Sequence, residues 1–153
     1  MKIGELLPRG AIRSELQGQT KIEILRELTD LLGEPQKNIG IDKIVEVLLE
    51  REKLGSTGIG DGVAIPHGKL PGISSVLLSF GRSASGISFD SLDEKPAHLF
   101  FLLLAPENSA GIHLKVLARI SRLLKDSSFR ERLMKAKDAD ELYRIIVEED
   151  GKY

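Results

Sequence analysis

The first residue whose type and surroundings point to chemistry is His67, which follows Pro66 and precedes Gly68. A neutral imidazole nitrogen is a good nucleophile near pH 7. Proline fixes its own φ angle and glycine allows unusual backbone geometry, so this pair can hold the ring at a fixed place beside a loop. The same pattern also fits a histidine in an ordinary surface turn, and spacing alone does not separate the two interpretations.

Two further residues are suited to act on an anion. His113 falls in the first turns of a helix predicted to begin near residues 108–109, and helix N-termini attract negative charge. Arg51 ends an earlier predicted helix, and its guanidinium has the right shape to grip phosphate oxygens. Taken alone, His113 also fits a half-buried helix residue, and Arg51 fits a solvated member of the charged run 50–53.

The other polar candidates are predicted to lie outside any reaction site. His98 opens an apolar run and is expected to be structural, whereas Glu52 and Asp61 are expected to be surface groups. Two histidines without a third placed ligand make a weak case for a metal site, so no metal is expected. The absence of cysteine removes disulfides, thiolate metal sites and cysteine nucleophiles from consideration.

Four glycines occur within residues 55–62, where they allow sharp turns or a close approach to a ligand. The segment does not fit the Walker A pattern, because Gly62 and Gly68 are one residue too far apart and Leu70 replaces the required Ser or Thr. The dinucleotide pattern also fails, since Val63 stands at its third glycine position. On these grounds an irregular turn remains open beside a phosphate-binding loop.

The elements that position these residues are predicted from periodicity. A capping box from Thr20 to Glu23 begins a helix that Gly33 ends, and a second helix begins near Asp42. The predicted strands cover 73–80 and 98–105, and the later helices begin near 108–109, cover 129–135 and follow Asp138. The run 98–105 is continuously apolar, which is typical of a strand buried on both faces. Such a strand needs helices on both sides, so we expect a three-layer α/β sandwich.

Bulk composition restricts the class of protein further. A chain of 153 residues fits one domain, taken here as 1–153, with 41% apolar and 29% charged residues. The net charge of −1 argues against a dedicated nucleic-acid or membrane-surface binder. The longest apolar run is too short to span a bilayer, and the first residues lack a signal-peptide pattern, so we expect a cytoplasmic protein without membrane insertion.

The segments Arg51–Gly60 and Ile65–Leu70 resemble the active-site signature of enzyme IIA domains of the bacterial phosphoenolpyruvate-dependent sugar phosphotransferase system. The resemblance is to the fructose/mannitol/nitrogen-regulatory class of these domains, and it extends over nearly the whole chain from about residue 16. His113–Ala118 is similar to the family's second-histidine helix, and Asp140–Tyr143 is similar to its terminal helix.

This resemblance implies a mixed β-sheet flanked by helices on both faces, and a phosphocarrier that needs no metal or cofactor. It assigns to His67 the phosphoryl group received from the small carrier HPr or its nitrogen-branch counterpart, with Arg51 and His113 completing the catalytic set. The hydroxyls of Ser56 and Thr57, with main-chain N–H groups of the glycine segment as far as Gly58, are then expected to complete a cradle for phosphate oxygens.

Three functions are compatible with the resemblance. The first is a regulatory IIA of the nitrogen type, in which the phosphorylation state of His67 controls other proteins. The second is a fructose- or mannitol-type IIA that passes phosphate to a IIB domain of a transporter. The third is a binding module that kept the fold and lost transfer, which the intact Arg51, His67 and His113 argue against. The residues before His67 resemble the nitrogen subgroup more than the mannitol one, which favours the regulatory role.

Overall fold

A mixed six-stranded β-sheet forms the centre of the computed structural model, which describes residues 2–153 apart from the side chains of residues 34–36 and 110. The strand order is β1-β5-β6-β3-β2, and β4 also pairs with β6. The strands are β1 (Ile12–Arg13), β2 (Gly58–Gly60), β3 (Val63–Ala64), β4 (His67–Leu70), β5 (Leu77–Ile87) and β6 (Ala97–Pro106).

Helices cover both faces of this sheet. They are α1 (Ile3–Leu6), α2 (Lys21–Asp30), α3 (Glu34–Ile39), α4 (Ile41–Lys53), α5 (Ala110–Leu124), α6 (Ser127–Lys135) and α7 (Ala139–Asp150), with a 3₁₀ turn at Arg9–Ala11. One core cluster joins the sheet to α1, α5, α6 and α7, and a second joins it to α2 and α4. The predicted three-layer α/β sandwich is therefore confirmed. Throughout residues 2–153, every helix falls short of the length and apolar character that a membrane-crossing segment requires.

Strand β6 explains why the sandwich needs three layers. Its side chains alternate between the two clusters. Leu99, Phe101 and Leu103 face α5, whereas Phe100, Leu102 and Leu104 face α2 and α4. The central part of the strand is buried on both sides, as the continuous apolar run predicted. The helix starts at Thr20 and Asp138 are also confirmed, since Thr20 forms a complete capping box and Asp138 accepts from the Glu141 N–H.

Strands β3 and β4 form one interrupted edge beside β6, and this edge sets the orientation of His67. Val63 pairs with Leu99 and His67 pairs with Leu103, so the parallel register is unchanged across the intervening Ile65–Pro66. Because strand side chains alternate, His67 points to the same face as Val63, which is the face covered by α5. Gly68 faces the opposite side, where a Cβ atom would meet the Val47 side chain of α4 at 3.1 Å.

Two predicted segments differ from the structure. The strand predicted over 73–80 is displaced, since β5 begins at Leu77 and continues to Ile87 through a Gly- and Ser-rich stretch. Arg82 is buried in that stretch because its guanidinium donates to the carbonyls of Leu133 and Ala136 at 2.8 and 2.6 Å. These hydrogen bonds satisfy the buried guanidinium of Arg82.

The glycine segment is more ordered than the irregular turn that its spacing allowed. Strands β2 and β3 form an antiparallel hairpin whose two-residue turn is Asp61–Gly62. Both residues have positive φ angles, of 57° and 77°, which is the requirement of a type I′ hairpin turn. Gly58 is needed for a different reason: a Cβ atom there would lie 2.5 Å from the Ser91 hydroxyl.

Candidate active site

His67 is the first residue of β4, and one hydrogen bond fixes the state of its ring. Nδ1 lies 2.7 Å from the carbonyl oxygen of Ile65. A carbonyl oxygen only accepts hydrogen bonds, so Nδ1 carries the hydrogen in the neutral ring. The lone pair is therefore on Nε2. The side chain is half-buried, which leaves this nitrogen in reach of an incoming group.

His113 approaches His67 from the α5 side of the sheet. It lies in the first turns of α5, as predicted, and its main-chain N–H donates to the Ser109 carbonyl at 2.9 Å. The centroids of the two imidazole rings are 5.3 Å apart, with an interplanar angle of 72°. His113 is only 7% exposed, and its buried Nδ1 has no hydrogen-bond partner among residues 2–153. Any hydrogen bond to an incoming group therefore falls to its Nε2.

Arg51 reaches the same place from the last turn of α4, which packs on the other face of the sheet. Its Nη1 donates to the Gly55 carbonyl at 2.8 Å, and this contact leaves its other guanidinium nitrogens for another ligand. Arg51, His67 and His113 all line one open depression of about 510 Å³. Lys69 and Leu54 are also part of its rim. The three residues predicted as a catalytic set are thus brought together by three separate elements.

Burial and nearby positive charge lower the pKa of both imidazoles. Burial is the main factor that lowers the pKa of His67 below the usual 6.5, and the charge of Arg51 lowers it further. The Ile65 carbonyl and the Glu52 carboxylate oppose that shift without reversing it. The pKa of His113 is lowered first by burial, then by its electrostatic interaction with His67, Lys69 and Arg51. At neutral pH, Nε2 of His67 is therefore free of a proton and able to act as a nucleophile.

The predicted phosphate cradle is occupied by contacts within the protein. The Ser56 hydroxyl donates to the Phe89 carbonyl at 2.6 Å and accepts from the Gly58 N–H at 3.0 Å. The Thr57 hydroxyl donates to the Glu52 carboxylate, and the Thr57 N–H does the same at 3.1 Å. In this geometry Ser56, Thr57 and Gly58 stabilise the glycine segment.

The expectation that Glu52 is a surface group is wrong. Glu52 is only 9% exposed, and its carboxylate is paired with Lys21 at 2.8 Å as well as with Thr57. These partners satisfy the buried charge. The sequence carries a signal for this burial, because Glu52 follows the buried Leu48 by four residues on the same helix face.

Asp61 and His98 lie where the sequence predicted, at the surface and within an apolar strand. Asp61 is exposed in the hairpin turn. His98 lies five residues before Leu103 in β6, roughly 17 Å from the His67 end of the sheet at about 3.4 Å per residue. Its Nδ1 lies 2.9 Å from the Ser83 carbonyl, which fits a structural role. Within residues 2–153, no group of three or more His, Asp or Glu side chains is arranged to hold a metal ion.

A family model spans most of the chain, and the similar proteins include both regulatory and sugar-specific ones. The family model "Phosphoenolpyruvate-dependent sugar phosphotransferase system, EIIA 2" matches residues 5–149. A nitrogen regulatory protein of Bradyrhizobium diazoefficiens is 42% identical over 151 residues, covering 96% of this chain and 95% of that protein. The fructose-specific EIIABC component of Bacillus subtilis is 37% identical over 150 residues, which are 98% of this chain and 24% of that protein.

The solved structures agree with the sequence relatives. The crystal structure of nitrogen regulatory protein IIA-Ntr from Neisseria meningitidis has a TM-score of 0.88 and 40% sequence identity. The match covers 94% of this chain and 98% of that one. Fold, family match and relatives lead to one conclusion: the chain belongs to the EIIA 2 family of the phosphoenolpyruvate-dependent sugar phosphotransferase system.

Proposed function

We propose that this protein is a phosphocarrier that accepts a phosphoryl group on Nε2 of His67 from an HPr-type carrier protein. The observation that carries the proposal is the hydrogen bond between His67 Nδ1 and the Ile65 carbonyl, which leaves the nucleophilic nitrogen at the open depression. The open shape of the site suits a donor that must bring its own phosphorylated histidine close to His67. Membership of the EIIA 2 family supports the same general reaction.

The transfer step needs positioning and charge stabilisation more than covalent help from the protein. The Nε2 lone pair of His67 attacks phosphorus, and the bond from phosphorus to the donor nitrogen breaks with its electron pair returning to the donor ring. The proton stays on Nδ1 throughout, where it is donated to the Ile65 carbonyl. No metal or cofactor takes part in this scheme, since the modified histidine is itself the intermediate.

Arg51 and His113 are the groups suited to the phosphoryl oxygens. A phosphoryl group brings about −1.5 to −2 charge, which a guanidinium can hold through charge-assisted hydrogen bonds. The contact with Gly55 already orients the Arg51 side chain. His113 completes the set by donating from Nε2. The cradle from Ser56, Thr57 and Gly58 stays a prediction, and it requires these groups to exchange their present partners for phosphate.

The nitrogen-regulatory role is the more specific part of the proposal. It is favoured by the similarity to a nitrogen regulatory protein over nearly the full length of both chains. The exposed side chains near the site supply a physical switch: Leu54 on the rim is 85% exposed, and Leu114, beside His113, is 64% exposed. A dianion on His67 would disfavour an apolar partner docking there.

The alternative role, transfer of phosphate to a IIB domain of a sugar transporter, is favoured by a different relative. A fructose-specific EIIABC component matches 98% of this chain. In that role the partner would accept the phosphoryl group from His67, whereas a regulatory target would only sense it. The acceptor or effector is therefore a IIB domain or a regulatory target protein, and the two roles share the same donor and the same phosphorylated residue.

We expect His67→Ala to abolish phosphorylation, because Nε2 of His67 is the nitrogen at the depression whose lone pair is fixed by the contact of Nδ1 with the Ile65 carbonyl. The measurement incubates the protein with phosphoenolpyruvate, enzyme I and an HPr-type carrier, and counts acid-labile phosphate by mass spectrometry. His98→Ala is the matched control and should be labelled like the wild type. Full labelling of His67→Ala would refute the assignment.

We expect Arg51→Lys and His113→Ala to slow transfer while the phosphate still forms on His67. Lysine keeps the charge of Arg51 but loses the two-pronged geometry. Removing one donor aimed at a transferring group costs roughly 3 kcal/mol, or about a hundredfold in rate. Single-turnover kinetics with phosphorylated carrier measure the effect. Wild-type rates in both variants would show that neither side chain holds the phosphoryl group.

We expect a cellular partner that prefers one phosphorylation state. Coupling of about 1–3 kcal/mol, or roughly 5–150-fold in affinity, is usual for such switches. The measurement compares proteins captured from cell extract by His67→Ala, which stays unphosphorylated, with those captured by enzymatically phosphorylated wild type. Identical partner sets, together with rapid transfer to a purified sugar-specific IIB domain, would contradict the regulatory role and establish transport instead.

A further inference from the structure

Glu52 is a buried carboxylate that the proposed transfer step does not use. It follows Arg51 directly in α4, and its side chain makes three polar contacts. Oε1 accepts from the Thr57 N–H at 3.1 Å, Oε2 accepts from the Thr57 hydroxyl, and Lys21 Nζ lies 2.8 Å from Oε1. Both hydrogen-bond donors of Thr57, its main-chain N–H and its hydroxyl, therefore contact the Glu52 side chain.

The backbone of Thr57 connects this carboxylate to His67. The Thr57 carbonyl accepts from the Ile65 N–H at 3.0 Å. The carbonyl of the same Ile65 residue lies 2.7 Å from Nδ1 of His67. Two consecutive hydrogen bonds therefore lead from the residue that Glu52 immobilises to the contact that decides the tautomer of the reactive ring.

A second route leads from Glu52 to Arg51. The main-chain carbonyl of Glu52 accepts from the Gly55 N–H at 3.1 Å, while its side chain holds Thr57 two residues further on. Glu52 thus contacts the middle and the end of the segment 53–57, at Gly55 and at Thr57. The Gly55 carbonyl in this segment is the acceptor for Arg51 Nη1 at 2.8 Å. A shift of the segment would move the group that orients the guanidinium.

The charge of Glu52 is balanced away from the reaction site. Lys21 Nζ lies between Glu52 and Asp90, at 2.8 and 3.4 Å from their carboxylate oxygens, and 4.7 Å from the centroid of the Phe89 ring. A buried carboxylate is costly unless it is paired and hydrogen-bonded, and here both conditions are met. Arg51 is consequently not needed to neutralise its neighbour and remains available to an anion in the depression.

We propose that Glu52, acting through Thr57, is a positioning residue for phosphoryl transfer: it holds the backbone that presents Nε2 of His67 and orients Arg51. The inference rests on the proposed function of His67. Glu52 does not touch the reacting atoms, so it affects the turnover step and leaves the surface that docks the donor unchanged.

The test compares Thr57→Val and Glu52→Gln with two matched controls. Valine keeps the shape of Thr57 without the hydroxyl donor, and Thr57→Ser restores that donor. Glu46→Gln makes the same chemical change as Glu52→Gln at an exposed position of α4. The first readout is the ¹⁵N NMR shifts of the His67 ring, which report the Nδ1–H and Nε2–H tautomers without any phosphorylation. The second is single-turnover kinetics over a range of phosphorylated-carrier concentrations, in which kcat is the transfer rate constant at saturation and KM is the carrier concentration that gives half of that rate.

We expect Thr57→Val and Glu52→Gln to raise the Nε2–H population of His67 and to lower kcat roughly tenfold, the scale of supporting-residue effects at reaction sites. KM for the carrier should not change, and Glu46→Gln should behave like the wild type. Thr57→Ser, which keeps the hydroxyl donor, should recover most of the kcat and of the Nδ1–H population that Thr57→Val loses. Wild-type tautomer populations and kcat in both folded test variants would overturn the proposal. A rise in KM alone would also overturn it, because it would place Glu52 in donor docking.

The two readouts separate this inference from the proposed function. If wild-type protein is never phosphorylated, the proposed function fails, yet the ring tautomer still reports whether Glu52 positions His67. If the wild type is phosphorylated on His67 and the tautomer is insensitive to Thr57 and Glu52, only the positioning role fails. Should Glu52→Gln not fold, Thr57→Val decides the question, since it alters a single hydroxyl.

Discussion

The hydrogen bond from His67 Nδ1 to the Ile65 carbonyl is the contact on which the proposed phosphoryl transfer depends. It assigns the proton to one ring nitrogen and the lone pair to the other, because a carbonyl oxygen cannot donate. Without it, the imidazole would divide its population between two tautomers and two orientations. Partial burial and the neighbouring Arg51 charge lower the pKa of the ring, so the nitrogen that faces the depression is also unprotonated at neutral pH.

The sheet makes this contact compatible with a ligand site. β3 and β4 keep one register along β6, so Ile65 and His67 point to the same face and the intervening Pro66 contributes no N–H that must be satisfied. Helix α5 covers that face and delivers His113, while α4 covers the other face and delivers Arg51 at the sheet edge. Within the described chain β4 pairs with β6 alone, and the three residues lie around one depression beside this strand.

Sequence reasoning was most successful where one physical rule acts alone. The capping groups at Thr20 and Asp138 and the doubly buried run in β6 follow from local hydrogen bonding and from apolar continuity, and all three are present. The site residues Arg51, His67 and His113 are brought together as the family resemblance implied. The local sequence pattern at each of these residues is also compatible with an ordinary structural role.

The failures share one cause, which is tertiary compensation for a residue that looks polar or flexible. Arg82 lies in β5 and inside the core because carbonyls of distant residues accept its hydrogen bonds. Glu52 is buried because Lys21 and Thr57 pair with its carboxylate inside the protein. The spacing of residues along the sequence does not show which distant residues become these partners. The four-residue spacing from the buried Leu48 does indicate that Glu52 is buried, whereas its charge favours an exposed position.

The most direct test of this account is to locate the phosphoryl group on the ring. Protein labelled with ¹⁵N and phosphorylated by a phospho-HPr-type carrier would be measured by ¹⁵N–¹H and ³¹P NMR, which distinguish the two phosphohistidine isomers. We expect a single adduct in which Nε2 of His67 is bonded to phosphorus and Nδ1 still carries its proton. A phosphoryl group on Nδ1 of His67, or on any residue other than His67, would contradict the account.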